Sequence, residues 1–61
     1  MPTVPFAEVL AYLEARGWVL KRIDAPYRVF LRSVFELPIL VEVHDKSVKR
    51  ADFDHIKTLA D

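Results

Sequence analysis

Phe6, Val9, Leu10 and Leu13 stand at i, i+3, i+4 and i+7, the spacing of one helical stripe. Thr3 offers a side-chain cap for that helix, and Pro5 sits just inside it, where a missing N–H costs nothing. Glu8 near the start and Arg16 near the end both suit the helix dipole. Gly17, the one glycine of the chain, follows where a left-handed C-cap is expected. After it the pattern changes period. Trp18 to Ile23 is rich in strand formers, and Asp24-Ala25-Pro26 reads as a turn. Tyr27 to Arg32 alternates, with Arg28, Phe30 and Arg32 on one face and Tyr27, Val29 and Leu31 on the other.

Ser33 to Glu36 turns the chain into a third strand, Leu37 to Val43. Ile39, Val41 and Val43 share one face of it and Leu40 and Glu42 the other, with Pro38 at an edge or outside the ladder. His44 to Val48 is a polar connection. From Lys49 or Arg50 to the end, Phe53, Ile56 and Leu59 or Ala60 mark a second amphipathic helix.

Short gaps between strands predict an antiparallel meander, and helices at both ends of the chain predict that both pack on one sheet face. The expected fold is a two-layer α+β domain, α-β-β-β-α with a three-stranded antiparallel sheet, occupying residues 1–61 as a single domain. Its second face is left open. That face carries Tyr27, Val29, Leu31 and Leu40, or else Arg28 and Arg32, because a one-residue slip of register exchanges the two sets.

Composition narrows the setting. A chain of 61 residues supports one small core, and 52% hydrophobic residues is more than so small a body can hide. Some apolar surface is therefore expected to meet a partner or a second copy. The absence of cysteine excludes disulfides and thiolate sites, and suits a cytoplasmic protein. Neither a membrane-spanning run nor a signal-peptide core is present, so no membrane partner is expected. Asparagine and glutamine are absent too, a bias found in thermophiles.

Net charge is zero, but its distribution is uneven. Residues 16–50 hold eight basic side chains against four acidic ones, and acidic residues dominate both ends. Lys46, Lys49 and Arg50 precede the last helix, and Arg28 and Arg32 lie on the second strand. Together these five could grip a phosphate backbone, the alternative being an ordinary solvated surface. Trp18 and Tyr27 could stack on bases. Trp18 is expected in the core.

His44 and His55 are the only histidines. His44, at a strand end before a basic loop, is a candidate general base as well as an ordinary strand-end residue. His55 is expected on the solvent side of the last helix. Metal-ligand spacing, a phosphate-binding glycine loop and a serine-nucleophile signature are all missing, so no metal or cofactor is expected.

The run Val9-Leu10-x-x-Leu13-Glu14-x-x-Gly17-Trp18-Val19-Leu20-x-Arg22 resembles the first helix and strand of the HicA family, also called YcfA-like proteins. Arg28-Val29-Phe30 resembles the start of its second strand. Val43-His44, then Lys46, Val48, Lys49 and Arg50, then Phe53, Ile56 and Leu59, resemble its third strand, loop and last helix, with a one-residue gap in the loop. The resemblance implies a fold like the double-stranded RNA-binding domain. It also implies an mRNA-cleaving toxin held by a HicB-type antitoxin. The family's catalytic histidine closes a Gly-Ser-His segment at the entrance to the second strand. Here that segment reads Ala25-Pro26-Tyr27. A tyrosine, with its pKa near 10, is a poor base at neutral pH.

The expectation is thus a HicA-like domain of a toxin–antitoxin system that binds RNA without efficient cleavage. Two alternatives stand beside it: a self-associating or antitoxin-binding module without RNA, and a residual ribonuclease using His44, or Tyr27 with a basic neighbour.

Overall fold

The computed structural model describes residues 2–61. Seven elements follow in order: β1 (Thr3–Pro5), α1 (Phe6–Glu14), β2 (Val19–Asp24), β3 (Tyr27–Leu31), β4 (Ile39–Glu42), β5 (Ser47–Lys49) and α2 (Arg50–Ala60). β2, β3 and β4 form the expected antiparallel meander, and β1 and β5 form a separate two-stranded ribbon. The architecture is α+β, with both helices contributing to one core on one face of the meander.

Register decides which face that is. Leu20, Phe30 and Ile39 stand opposite one another, as do Arg28 and Val41. Phe30, Ile39 and Val41 are buried beside Val9 and Leu13 of α1 and Phe53, Ile56 and Ala60 of α2. Leu59 is exposed, so Ala60 completes the α2 stripe. Tyr27, Val29, Leu31 and Leu40 therefore occupy the open face. A bulge at Lys21 resets β2, bringing Arg22 opposite Val29 on that open face.

The end of α1 closes as Gly17 predicts. Gly17 has φ +87°, its N–H donates to Glu14 O, and the Trp18 N–H donates to Leu13 O. This is the Schellman pattern, with buried Trp18 and Leu13 supplying its apolar contact.

The start of α1 differs from expectation. Thr3 does not cap the helix: it lies in β1, and Pro5 holds the N-cap position without a side-chain bond. Nor is His44–Val48 merely a polar connection. His44 and Ser47 exchange two backbone hydrogen bonds around Asp45 and Lys46, and the chain continues as β5. Val48 is fully buried opposite Val4.

This ribbon replaces conventional caps. β1 runs straight into α1 and β5 straight into α2, with near-identical extended backbone at Pro5 (φ −59°, ψ 139°) and Lys49 (φ −60°, ψ 137°). The Phe6 N–H donates to Lys46 O (2.8 Å), and the Arg50 N–H donates to Pro2 O (3.2 Å). The first free N–H of each helix is thus satisfied by backbone from the opposite side of the ribbon.

At the far end the helices are tied by side chains. Tyr12 meets Phe53 edge to face at 5.5 Å between ring centroids. The Tyr12 hydroxyl and Arg16 Nε both donate to Asp61 Oδ1, at 3.0 and 2.7 Å. No helix among the described residues is long and apolar enough to cross a membrane.

Candidate nucleic-acid interface

Arg28 and Lys46 come together. Arg28 projects from β3 on the helix-covered face, its guanidinium 4.6 Å from the Phe6 ring centroid. Lys46 sits in the turn before β5, and its carbonyl receives the first N–H of α1. With Pro5, Phe6, Ala7 and Leu10 these two cations line an open groove of about 520 Å³. An apolar floor with cations at its rim suits a ribose and its flanking phosphates.

Lys49 and Arg50 follow along the ribbon and into the first turn of α2, both exposed. Because Val48 is buried, Lys49 on the same strand points outward. None of Arg28, Lys46, Lys49 or Arg50 forms an ion pair among the described residues, whereas Arg16, Arg22, Arg32 and Lys57 all do.

Arg32 belongs elsewhere. Its Nε and Nη2 donate to Glu36 at 2.9 and 2.6 Å, and its Nη1 donates to Ala60 O at 2.9 Å and Arg16 O at 3.4 Å. The guanidinium lies 4.6 Å from the Trp18 ring centroid. One side chain thus neutralises carbonyls at the C-terminal ends of both helices. The arginine holds the Glu36 carboxyl below its usual range, chiefly through its hydrogen bonds.

Lys46 also carries strain. Among the described residues, Asp45 (φ 51°) and Lys46 (φ 62°) are the non-glycine residues in the left-handed region. Aspartate tolerates that conformation, and lysine has no local device to offset it.

Tyr27 opens β3 immediately after the Ala25–Pro26 peptide bond, which is cis, and it is partly exposed. It lines a smaller groove of about 170 Å³ with Leu40, Glu42, Asp52, His55, Ile56 and Leu59. Glu42 stands directly opposite Tyr27 in the ladder. His44 bonds the same carboxylate, Nε2 to Oε2 at 2.5 Å. That bond is the main reason the Glu42 carboxyl sits below its usual range, with the Lys49 charge adding to it.

Two carboxylates beside Tyr27 make this groove unwelcoming to phosphate. His44 is turned toward Glu42. His55 is exposed, as expected, yet borders this groove. Sequence does not single out Glu42, and it reads His55 as a solvent-side residue of the last helix. Their meeting with Tyr27 depends on strand register and on where α2 lies, neither of which residue type reveals. No cluster of three metal-ligating side chains exists among the described residues.

No family model, curated protein or solved structure matches the chain. The functional reading therefore rests on the residues and their arrangement.

Proposed function

We propose that this chain is a HicA-like RNA-binding domain that holds RNA without cleaving it efficiently. The observation that carries the reading is the freedom of Arg28, Lys46, Lys49 and Arg50 from ion pairs among the described residues, while Arg32 is consumed in joining the helix ends. The α-β-β-β-α order of the main elements agrees with the resemblance.

Loss of cleavage follows from the chemistry beside Tyr27. Attack by a ribose 2′-hydroxyl needs a base to take its proton near neutral pH, and a phenol does not do so. Glu42 and Asp52 further oppose the entry of a phosphodiester. A HicB-type antitoxin as protein partner and a cytoplasmic setting belong to the same reading. The first rests on the resemblance, the second on a cysteine-free chain.

The test is binding of a labelled RNA hairpin at increasing salt, with the RNA then run on a denaturing gel. Four phosphate contacts give a slope of log affinity against log salt of about −3. Intact RNA with that slope is the expected result. A salt-independent signal, or no binding at about 50 mM salt, would remove RNA from the account.

A further inference from the structure

The groove of Arg28 and Lys46 holds more than cations. Pro5, Phe6, Ala7 and Leu10 line it too, and these apolar side chains have no attraction for a phosphate. Its volume of about 520 Å³ lies within the range of sites that take whole small organic molecules, about 300–1,000 Å³. A ribose alone does not fill it.

Arg28 gives the groove a flat surface. Its guanidinium is held over the Phe6 ring, 4.6 Å from the centroid, and that ring in turn meets Phe30 at 6.4 Å between centroids. No carboxylate pairs with it among the described residues. A guanidinium plane braced in this way is a platform on which a nucleobase stacks. Lys46 lines the same groove, so a flat ring and an anion are accommodated side by side. A nucleotide joins those two features in one molecule.

Duplex RNA keeps its base faces hidden in the stack. A domain that reads duplex shape touches two successive minor grooves over about 16 base pairs. That calls for two separated sets of free cations. Here Arg28 and Lys46 share one groove, and Lys49 and Arg50 follow along the ribbon into α2. Lys21, the other unpaired cation among the described residues, stands alone on β2.

We infer that the Arg28–Lys46 groove holds one unstacked nucleotide, its base against the Arg28 guanidinium and its phosphate on Lys46, so that the domain takes loop or single-stranded RNA in preference to duplex. Lys49 and Arg50 take the neighbouring phosphates. The inference rests on the RNA-binding reading above and adds to it the form of the RNA.

Two RNAs with the same number of phosphates test this, a hairpin with an unpaired loop and a blunt duplex, each titrated at the same salt. The hairpin is expected to bind about tenfold more tightly, the increment that stacking one base on a protein platform supplies. Arg28→Lys keeps the charge and loses the plane. In that variant the preference for the hairpin disappears while the slope of affinity against salt is unchanged, which a folding defect would not produce. Adenosine 5′-monophosphate and ribose 5-phosphate then separate the base from its phosphate. The first is expected to shift the amides of Phe6, Leu10, Arg28 and Lys46, and the second to do so about tenfold more weakly. Equal affinity for hairpin and duplex would overturn the inference and leave RNA binding standing. So would a mononucleotide bound no better than ribose 5-phosphate. Binding of neither RNA would remove the RNA-binding reading itself, and the inference with it.

Discussion

Three residues show how position decides what a side chain is for. Gly17 is required by its φ of +87°. A Cβ there meets only Arg32 Cδ and Cγ, at 3.6 and 3.8 Å, which is ordinary contact. Gly17→Ala therefore costs about 1 kcal/mol from the backbone alone, read as a lower urea midpoint with unchanged slope. A much larger loss would mean that the fold depends on Gly17 in some other way. Lys46→Gly relieves left-handed strain and raises stability by up to about 1 kcal/mol, yet weakens RNA binding by removing a cation. Stabilisation and lost affinity in the same variant would separate folding from function. Arg32→Ala has the opposite signature: the melting temperature falls while RNA affinity holds. An affinity loss matching that of Arg28→Ala would return Arg32 to the interface.

At the scale of elements, both helices, the three meander strands and the two faces of β3 and β4 are legible from hydrophobic period, because each has one buried side. Gly17 marks the end of α1 for a stereochemical reason that composition cannot hide. The β1–β5 ribbon is not legible. Each strand has three residues, too few for alternation to register, and its turn uses Asp45-Lys46 where Asn-Gly would have announced a hairpin. Thr3 then reads as a cap, since nothing local reveals that the first N–H of α1 is satisfied by Lys46 O. The candidate site divides the same way. The basic residues are visible as a cluster in sequence, but the diversion of Arg32 to Glu36 and Ala60 O is a tertiary fact. The ribbon's energetic role is open to test: Val48→Ala removes buried apolar volume worth about 2 kcal/mol. Because the ribbon anchors the start of both helices, that loss appears in one cooperative transition. A separate early transition would show that the ribbon is an independent appendage.

For the whole molecule, acid is the informative variable. Glu36, Glu42 and Asp61 are each held below the usual carboxylate range by hydrogen bonds from Arg32, His44 and Arg16 respectively. A depressed folded-state pKa adds stability above the unfolded value and loses it as pH falls through the folded one. The melting temperature is therefore expected to hold from neutral pH down to the ordinary carboxylate range and to fall below it. Thermal melts across that range check this, and a flat profile would show that these bonds contribute little to folding. The size of the domain sharpens every such effect. Among the described residues one core of eleven buried apolar side chains carries the fold, so Phe30→Ala, at a cost of about 3–5 kcal/mol, leaves little or no folded protein in a circular-dichroism melt.

RNA binding as proposed uses the free basic end and not the groove at Tyr27. The most direct measurement is a titration of isotopically labelled protein with an RNA hairpin at low salt, following backbone amide shifts residue by residue. Perturbation is expected at Phe6, Arg28 and Lys46 through Arg50, with Val29, Leu31 and Leu40 unmoved and the RNA intact. Perturbation centred on Tyr27, Glu42 and His55, or none at all, would contradict it.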